Sequence, residues 1–164
     1  IIKDTRDFGL EQIALAMNHG RYSRDEARLV LVTALFDYEK YQRALTVLDS
    51  TTVPDKRPIM TELYLRGRLL FHFERWPEVE QIFRELLARL EAHRFPSIGY
   101  QVECHYRIAK ALQMQGRVAE AVAMADAGLA LSKKRSSKTE LESDLGSYSD
   151  NLKALKRLRG ELGK

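Results

Sequence analysis

Glu39-Lys40-Tyr41-Gln42-Arg43-Ala44-Leu45 decides the fold, because its pattern returns twice further along the chain. The second copy is Arg75-Trp76-Pro77-Glu78-Val79-Glu80, and the third is Gly116-Arg117-Val118-Ala119-Glu120-Ala121-Val122. Each reads as a tight turn, a bulky apolar residue, two polar or turn-forming residues, and then a small or β-branched one. Each follows a segment of helical periodicity and opens another. Ala44 and Val79 stand 35 residues apart, and Val79 and Ala121 stand 42 apart. Helix–turn–helix units at such a period are the signature of a helical repeat array, in which one hairpin cannot bury its apolar face alone and must stack on its neighbours.

The flanking segments agree. Residues 4–18 predict a helix with Phe8, Ile13, Ala14 and Met17 on one face, ended by Asn18-His19-Gly20. Ser23-Arg24-Asp25-Glu26 forms a capping box before Ala27, Val30, Leu31, Ala34 and Leu35, which are spaced as a buried helical face. Tyr41, Ala44, Leu45 and Leu48 point inward on the partner helix. A loop over 51–57 leads to Pro58, which suits a first helical turn. The second pair carries Leu63, Gly67, Leu70 and Phe71, then Val79, Phe83, Leu86, Leu87 and Leu90. Phe95-Pro96 ends it, and Ser97 can cap the next helix. The third pair spans 99–115 and 118–133, with Val102, Tyr106, Ile108, Ala109, Leu112, Val118, Ala121, Val122, Ala125 and Leu129 apolar. A last helix over 139–162, opened by a capping box at Ser137–Glu140, carries a heptad seam through Leu141, Leu145, Tyr148, Leu152 and Leu155. No alternating strand pattern occurs.

The fold class expected is therefore all-α: a right-handed solenoid of antiparallel helical hairpins, about three repeats, with flanking N- and C-terminal helices. As a single domain over 1–164, it divides into an N-terminal helix (1–21), three hairpins (22–133), and a linker with a C-terminal capping helix (134–164). The same leucine seam offers self-association as the alternative to capping.

Composition supports a folded protein, with 45% hydrophobic and 30% charged residues in a chain of 164. The formal net charge of +4 permits an acidic partner without the clustered basic face that nucleic acid demands. One cysteine, Cys104, cannot close an intramolecular disulfide, and a reducing cytoplasmic setting is expected, with the nucleus as the alternative. There is no apolar run of membrane-spanning length. The chain starts at Ile1 rather than Met, and a fragment or processed product is expected.

The three units resemble the tetratricopeptide repeat (TPR). Its pattern places a large apolar residue, Leu-Gly and an aromatic in the first helix, then a Gly turn, an aromatic and an Ala opening the second. The middle unit matches at Leu63, Gly67, Leu70, Trp76 and Phe83, with Val79 in place of the small Ala. The third matches at Ile108, Ala109, Leu112, Gly116, Val118 and Ala121, and the first at Leu31, Leu35, Tyr41 and Ala44. The resemblance covers residues 24–131 and lacks the terminal Pro; another helical-hairpin solenoid is the alternative. It implies a concave groove lined by the first helix of each hairpin. That projection selects Leu29, Thr33 and Phe36, then Tyr64, Leu65, Arg68 and His72, then Tyr106, Arg107, Lys110 and Met114. Such a groove suits an extended or helical peptide of acidic character. The family's chaperone-tail clamp is not reproduced: Leu29, Thr33, Leu65 and Glu103 occupy most of its positions, and Arg107 alone fits.

Nothing in the sequence predicts catalysis. His19, His72, His93 and His105 form no ligand-spaced cluster, and zinc needs three or four convergent ligands. Cys104 has no neighbouring base to make its thiolate. No phosphate-binding loop or nucleophile elbow is present. Trp76, Tyr41 and Phe83 are expected in the core, and Lys133–Lys138 is expected to be a solvated basic joint. The reading is a non-enzyme without cofactor or metal: a protein-interaction scaffold or adaptor, or alternatively the regulatory repeat domain of a larger signalling or transcription protein.

Overall fold

The computed structural model describes residues 6–19, 24–50, 58–94, 97–136 and 147–163. Among the described residues the chain is all-α, with eight helices and no strand. They are α1 (Arg6–His19), α2 (Arg24–Asp37), α3 (Tyr41–Asp49), α4 (Met60–His72), α5 (Trp76–Glu91), α6 (Ile98–Met114), α7 (Val118–Ser132) and α8 (Tyr148–Leu162). The chain divides into two compact units, Ile1–Leu69 and Leu70–Lys164, and the division falls inside α4.

The three recurring stretches close through the same pair of backbone bonds. In the first, Glu39 N–H donates to Phe36 O (3.0 Å) and Lys40 N–H to Leu35 O (2.8 Å). In the second, Glu74 N–H donates to Phe71 O (3.2 Å) and Arg75 N–H to Leu70 O (3.0 Å). In the third, Gly116 N–H donates to Gln113 O and Arg117 N–H to Leu112 O, both at 2.9 Å. This pair of bonds is the Schellman closure of a helix end, and it requires its first donor residue to be left-handed. Glu39 (φ 58°), Glu74 (φ 56°) and Gly116 (φ 76°) take that conformation. The next residue, Lys40, Arg75 or Arg117, then gives its carbonyl to the first bond of the following helix, from Ala44, Val79 or Ala121. One residue thus ends one helix and starts the next. Ala44, Val79 and Ala121 are fully buried, as are Leu35, Leu70 and Leu112 on the near side.

In the first unit α2 packs on α1 and on α3. Its buried arc is Arg28, Leu31, Val32 and Leu35, an i, i+3, i+4, i+7 stripe. That is one residue away from the arc expected from hydrophobicity: Val30 is 55% exposed and Val32 is buried. An arginine holds the first place in the stripe, so counting apolar residues turned the helix too far. Its charge is met by Glu62, with Arg28 Nη2 donating to Oε2 at 3.1 Å. Their side chains are 8% and 13% exposed. On α1 the buried residue is Leu10, whereas Phe8 is 62% exposed, contrary to the face expected there. Gly20 and the Ser23 cap lie outside the described residues.

In the second unit α6 is packed by α5, α7 and α8. Enclosure on three sides buries five consecutive residues, Gln101 to His105. Ser97 caps α6 by accepting from Tyr100 N–H, and Ser147 caps α8 by accepting from Asp150 N–H. Leu155 and Leu158 of α8 lie in one cluster with Val102 and Ala109 of α6 and Ala125 of α7. Val118, expected to be inward, is exposed. Leu141, Leu145 and the Ser137–Glu140 box lie outside the described residues.

α7 packs tightly on α6 at Gly128. A Cβ there would fall 2.6 Å from His105 Cβ and 2.9 Å from Leu155 Cδ2. Gly160 on α8 has nothing within 4 Å of the same position. Gly128→Ala should therefore destabilise. The helix gains about 1 kcal/mol of propensity, but overpacking costs ~1–3 kcal/mol, and the atom in the way is a stem atom that cannot swing aside. Gly160→Ala should stabilise by about 0.5–1 kcal/mol. Denaturant midpoints of the two variants test this; shifts of the same sign would refute it.

Candidate interaction surface

The residues expected to line a binding face fall into two clusters, one in each unit, and both are built on the same turn. Phe36 and Tyr41 bracket the first turn and meet edge to face, centroids 5.2 Å apart at 77°. Phe71 and Trp76 bracket the second and meet likewise, 5.3 Å apart at 89°. Each ring before a turn is covered by an arginine. In the first unit the Arg68 guanidinium lies 5.3 Å from the Phe36 centroid and 5.8 Å from that of Tyr64, and its Nη1 donates to Tyr64 Oη at 3.2 Å. In the second, the Arg107 guanidinium lies 4.3 Å from the Phe71 centroid and 5.2 Å from that of Tyr106. Guanidinium over an aromatic face is attractive because the ring presents its negative quadrupole to the cation.

The expected positions differ in availability. Leu29, Thr33, Phe36 and Arg68 are half-buried, and the Thr33 hydroxyl bonds back to Leu29 O at 2.9 Å. Tyr64 and Leu65 are buried, so Leu65 offers no surface. His72 and Met114 are exposed. Tyr106, Arg107 and Lys110 are half-buried. Arg107 already serves a carboxylate: its Nε and Nη2 donate to Glu103 Oε1 at 3.3 and 3.1 Å. The Glu103 side chain is 2% exposed and that of Arg107 12%. The i, i+4 spacing of Glu103 and Arg107 is a sequence signal for this pair. Lys110 instead donates to the neutral amide oxygen of Gln113 at 2.8 Å. Tyr106, Lys110 and Met114, four residues apart, form one ridge along α6.

A second polar cluster ties α5 to the third turn. Glu80 accepts from Arg84 Nε at 2.9 Å, Gln115 Nε2 at 3.0 Å and Arg117 Nη1 at 2.7 Å. Burial pushes the Glu80 carboxyl up, but the bonds from Gln115 and Arg84 and the charge of Arg117 outweigh it and hold the group below its ordinary value. Trp76 was expected in the core but is only half-buried, its ring against Phe71, while Phe83 is fully buried.

Cys104 is buried, and burial first, then the Glu103 carboxylate, pushes its thiol well up. It is held as a thiol, not the nucleophilic thiolate. Among the described residues no group of three His, Cys, Asp or Glu side chains could hold a metal ion, and no helix is long and apolar enough to cross a membrane. Compared with protein-family models, curated proteins and solved structures, the chain matches none.

Proposed function

We propose that this chain is a TPR-like helical repeat protein of about three hairpins. In this reading it acts as a protein-interaction scaffold or adaptor rather than an enzyme, and it binds a peptide of acidic character. The observation that carries the reading is the repeated turn with its aromatic pair and covering arginine. A module duplicated in backbone and side-chain detail, with its polar and aromatic atoms half-exposed, suits recognition of an extended ligand. Rings cover apolar side chains, and cations meet carboxylates. Arg107 belongs to this surface as a packing and stacking residue, because its charge is engaged by Glu103. Lys110, in the second unit, is the cation proposed to meet the ligand. A cytoplasmic location is part of the proposal and accords with a single buried thiol.

The test begins with affinity capture on the folded chain and mapping of the retained peptide. That peptide is then titrated against wild type and Lys110→Glu at two salt concentrations. Lys110→Glu is expected to weaken binding at least ~10-fold, about 1.4 kcal/mol, with helical circular dichroism and melting temperature unchanged. Higher salt should also weaken it, since exposed charges are screened over about 8–10 Å. Equal affinity for both proteins at both salts would sink the reading.

A further inference from the structure

Along α6, in the second unit, Tyr106, Lys110 and Met114 stand at i, i+4 and i+8 and so form one line. α5, α7 and α8 pack around the helix. They leave this line half-buried at Tyr106 and Lys110 and exposed at Met114. At one end the Tyr106 ring lies 6.0 Å from that of Phe71, tilted by 47°, and Phe71 in turn meets Trp76. All three rings are half-buried, so this end is an apolar step that water still reaches. At the other end Met114 is 47% exposed, and its unbranched thioether chain adapts to whatever lies on it.

Between the two ends stands Lys110. Its ammonium donates to Gln113 Oε1 at 2.8 Å, a neutral oxygen, and among the described residues no carboxylate pairs with it. The neighbouring Arg107 differs, since its charge is met by Glu103 at 3.1 Å. The line therefore reads apolar, cation, apolar, and the cation in the middle lacks a counter-charge.

We propose that this line takes an extended segment of a partner protein in which one acidic residue is flanked, two places away on each side, by apolar residues. The proposal rests on the acidic-peptide reading above and adds the register to it. Successive members of the line rise about 6 Å along α6, at about 1.5 Å per residue. An extended chain presents alternate side chains on one edge about 6.6 Å apart, at about 3.3 Å per residue. Over three members the two repeats stay within reach of the flexible Lys110 and Met114 stems. A docked helix instead presents a stripe about 100° wide, whereas α6 offers a single line. The carboxylate seats on Lys110, and the apolar side chains on Tyr106 and Met114 displace water from the pair, where its attraction is stronger than in bulk. Because both ends are apolar, either chain direction fits.

Three isomeric synthetic peptides test the register on the full chain. Each holds one central glutamate, two leucines and alanine elsewhere, with both ends blocked so that the glutamate is the only charge. The leucines stand one, two or four places either side of it. Binding is followed through the amide chemical shifts of residues 106–114. The peptide with leucines two places away should bind at least ~10-fold more tightly than either isomer. Replacing its glutamate by glutamine should weaken it on wild type and make no difference on Lys110→Met. Equal or tighter binding of the one-place isomer, or of the four-place isomer that a helical ligand would resemble, overturns the proposal. So does binding of none of them, or a glutamate preference that survives Lys110→Met. If the register fails while the captured peptide still loses affinity to Lys110→Glu, the acidic-peptide reading stands without it; if the captured peptide also ignores that substitution, the reading itself has failed.

Discussion

Arg28→Ala is expected to lower the unfolding free energy by about 3–5 kcal/mol, the cost of breaking a buried ion pair by removing one partner. The carboxylate left behind, Glu62, is 13% exposed at its side chain, and its recorded partner is the guanidinium. Arg28 Nη1 also reaches Leu48 O at 3.5 Å, but that carbonyl keeps Arg66 Nη2 at 3.3 Å, so the loss falls on Glu62. The double variant Arg28→Met, Glu62→Leu separates charge from packing. Apolar replacements of similar volume often leave stability unchanged or improved, so the double variant should recover most of the loss. Urea denaturation followed by circular dichroism measures both. A single-variant loss below about 1 kcal/mol, the level of ordinary sites, would show that Glu62 reaches water when Arg28 is gone.

Phe83→Ala is expected to cost about 3–5 kcal/mol, the range for emptying a core aromatic site. Phe83 has no exposed surface on α5. Trp76 is the larger residue, but it is only half-buried, with its ring edge to face against Phe71. Trp76→Ala should therefore cost about 1–2 kcal/mol. The comparison is sharp because size alone predicts the opposite order. If the tryptophan variant is the less stable of the two in thermal and denaturant melts, the burial assigned to these rings is wrong.

The helices and turns were legible because their signals are local. Ala44, Val79 and Ala121 recur at matched places after their turns, and the bonds that make each turn span at most five residues. The inward face of α3 could be read because Ala44, Leu45 and Leu48 sit on a helix with one apolar side. α2 was harder: two helices pack on it, and Arg28 holds a core position because of a carboxylate 34 residues away. No local rule places a charge inside. Phe8 failed for the converse reason, since nothing among the described residues covers it. Within the candidate surface, Tyr106, Arg107 and Lys110 were selected by the resemblance to the tetratricopeptide repeat. That Glu103 would be enclosed on three sides, and so claim Arg107, depends on α5, α7 and α8 packing around one helix. Gly128 looked like one more small residue in an alanine-rich helix until His105 was found against it.

The shared turn also bears on the order of folding. Each hairpin joint closes through bonds between residues three and five apart, so forming it fixes a short piece of chain and incurs little loop-closure entropy. The joints can be complete while distant pairs such as Arg28 with Glu62, or Glu80 with Arg117, are still apart. Local closure of this kind speeds the search. It assigns the long-range ion pairs to the later, stabilising phase, where they govern how slowly the protein comes apart rather than how quickly it assembles.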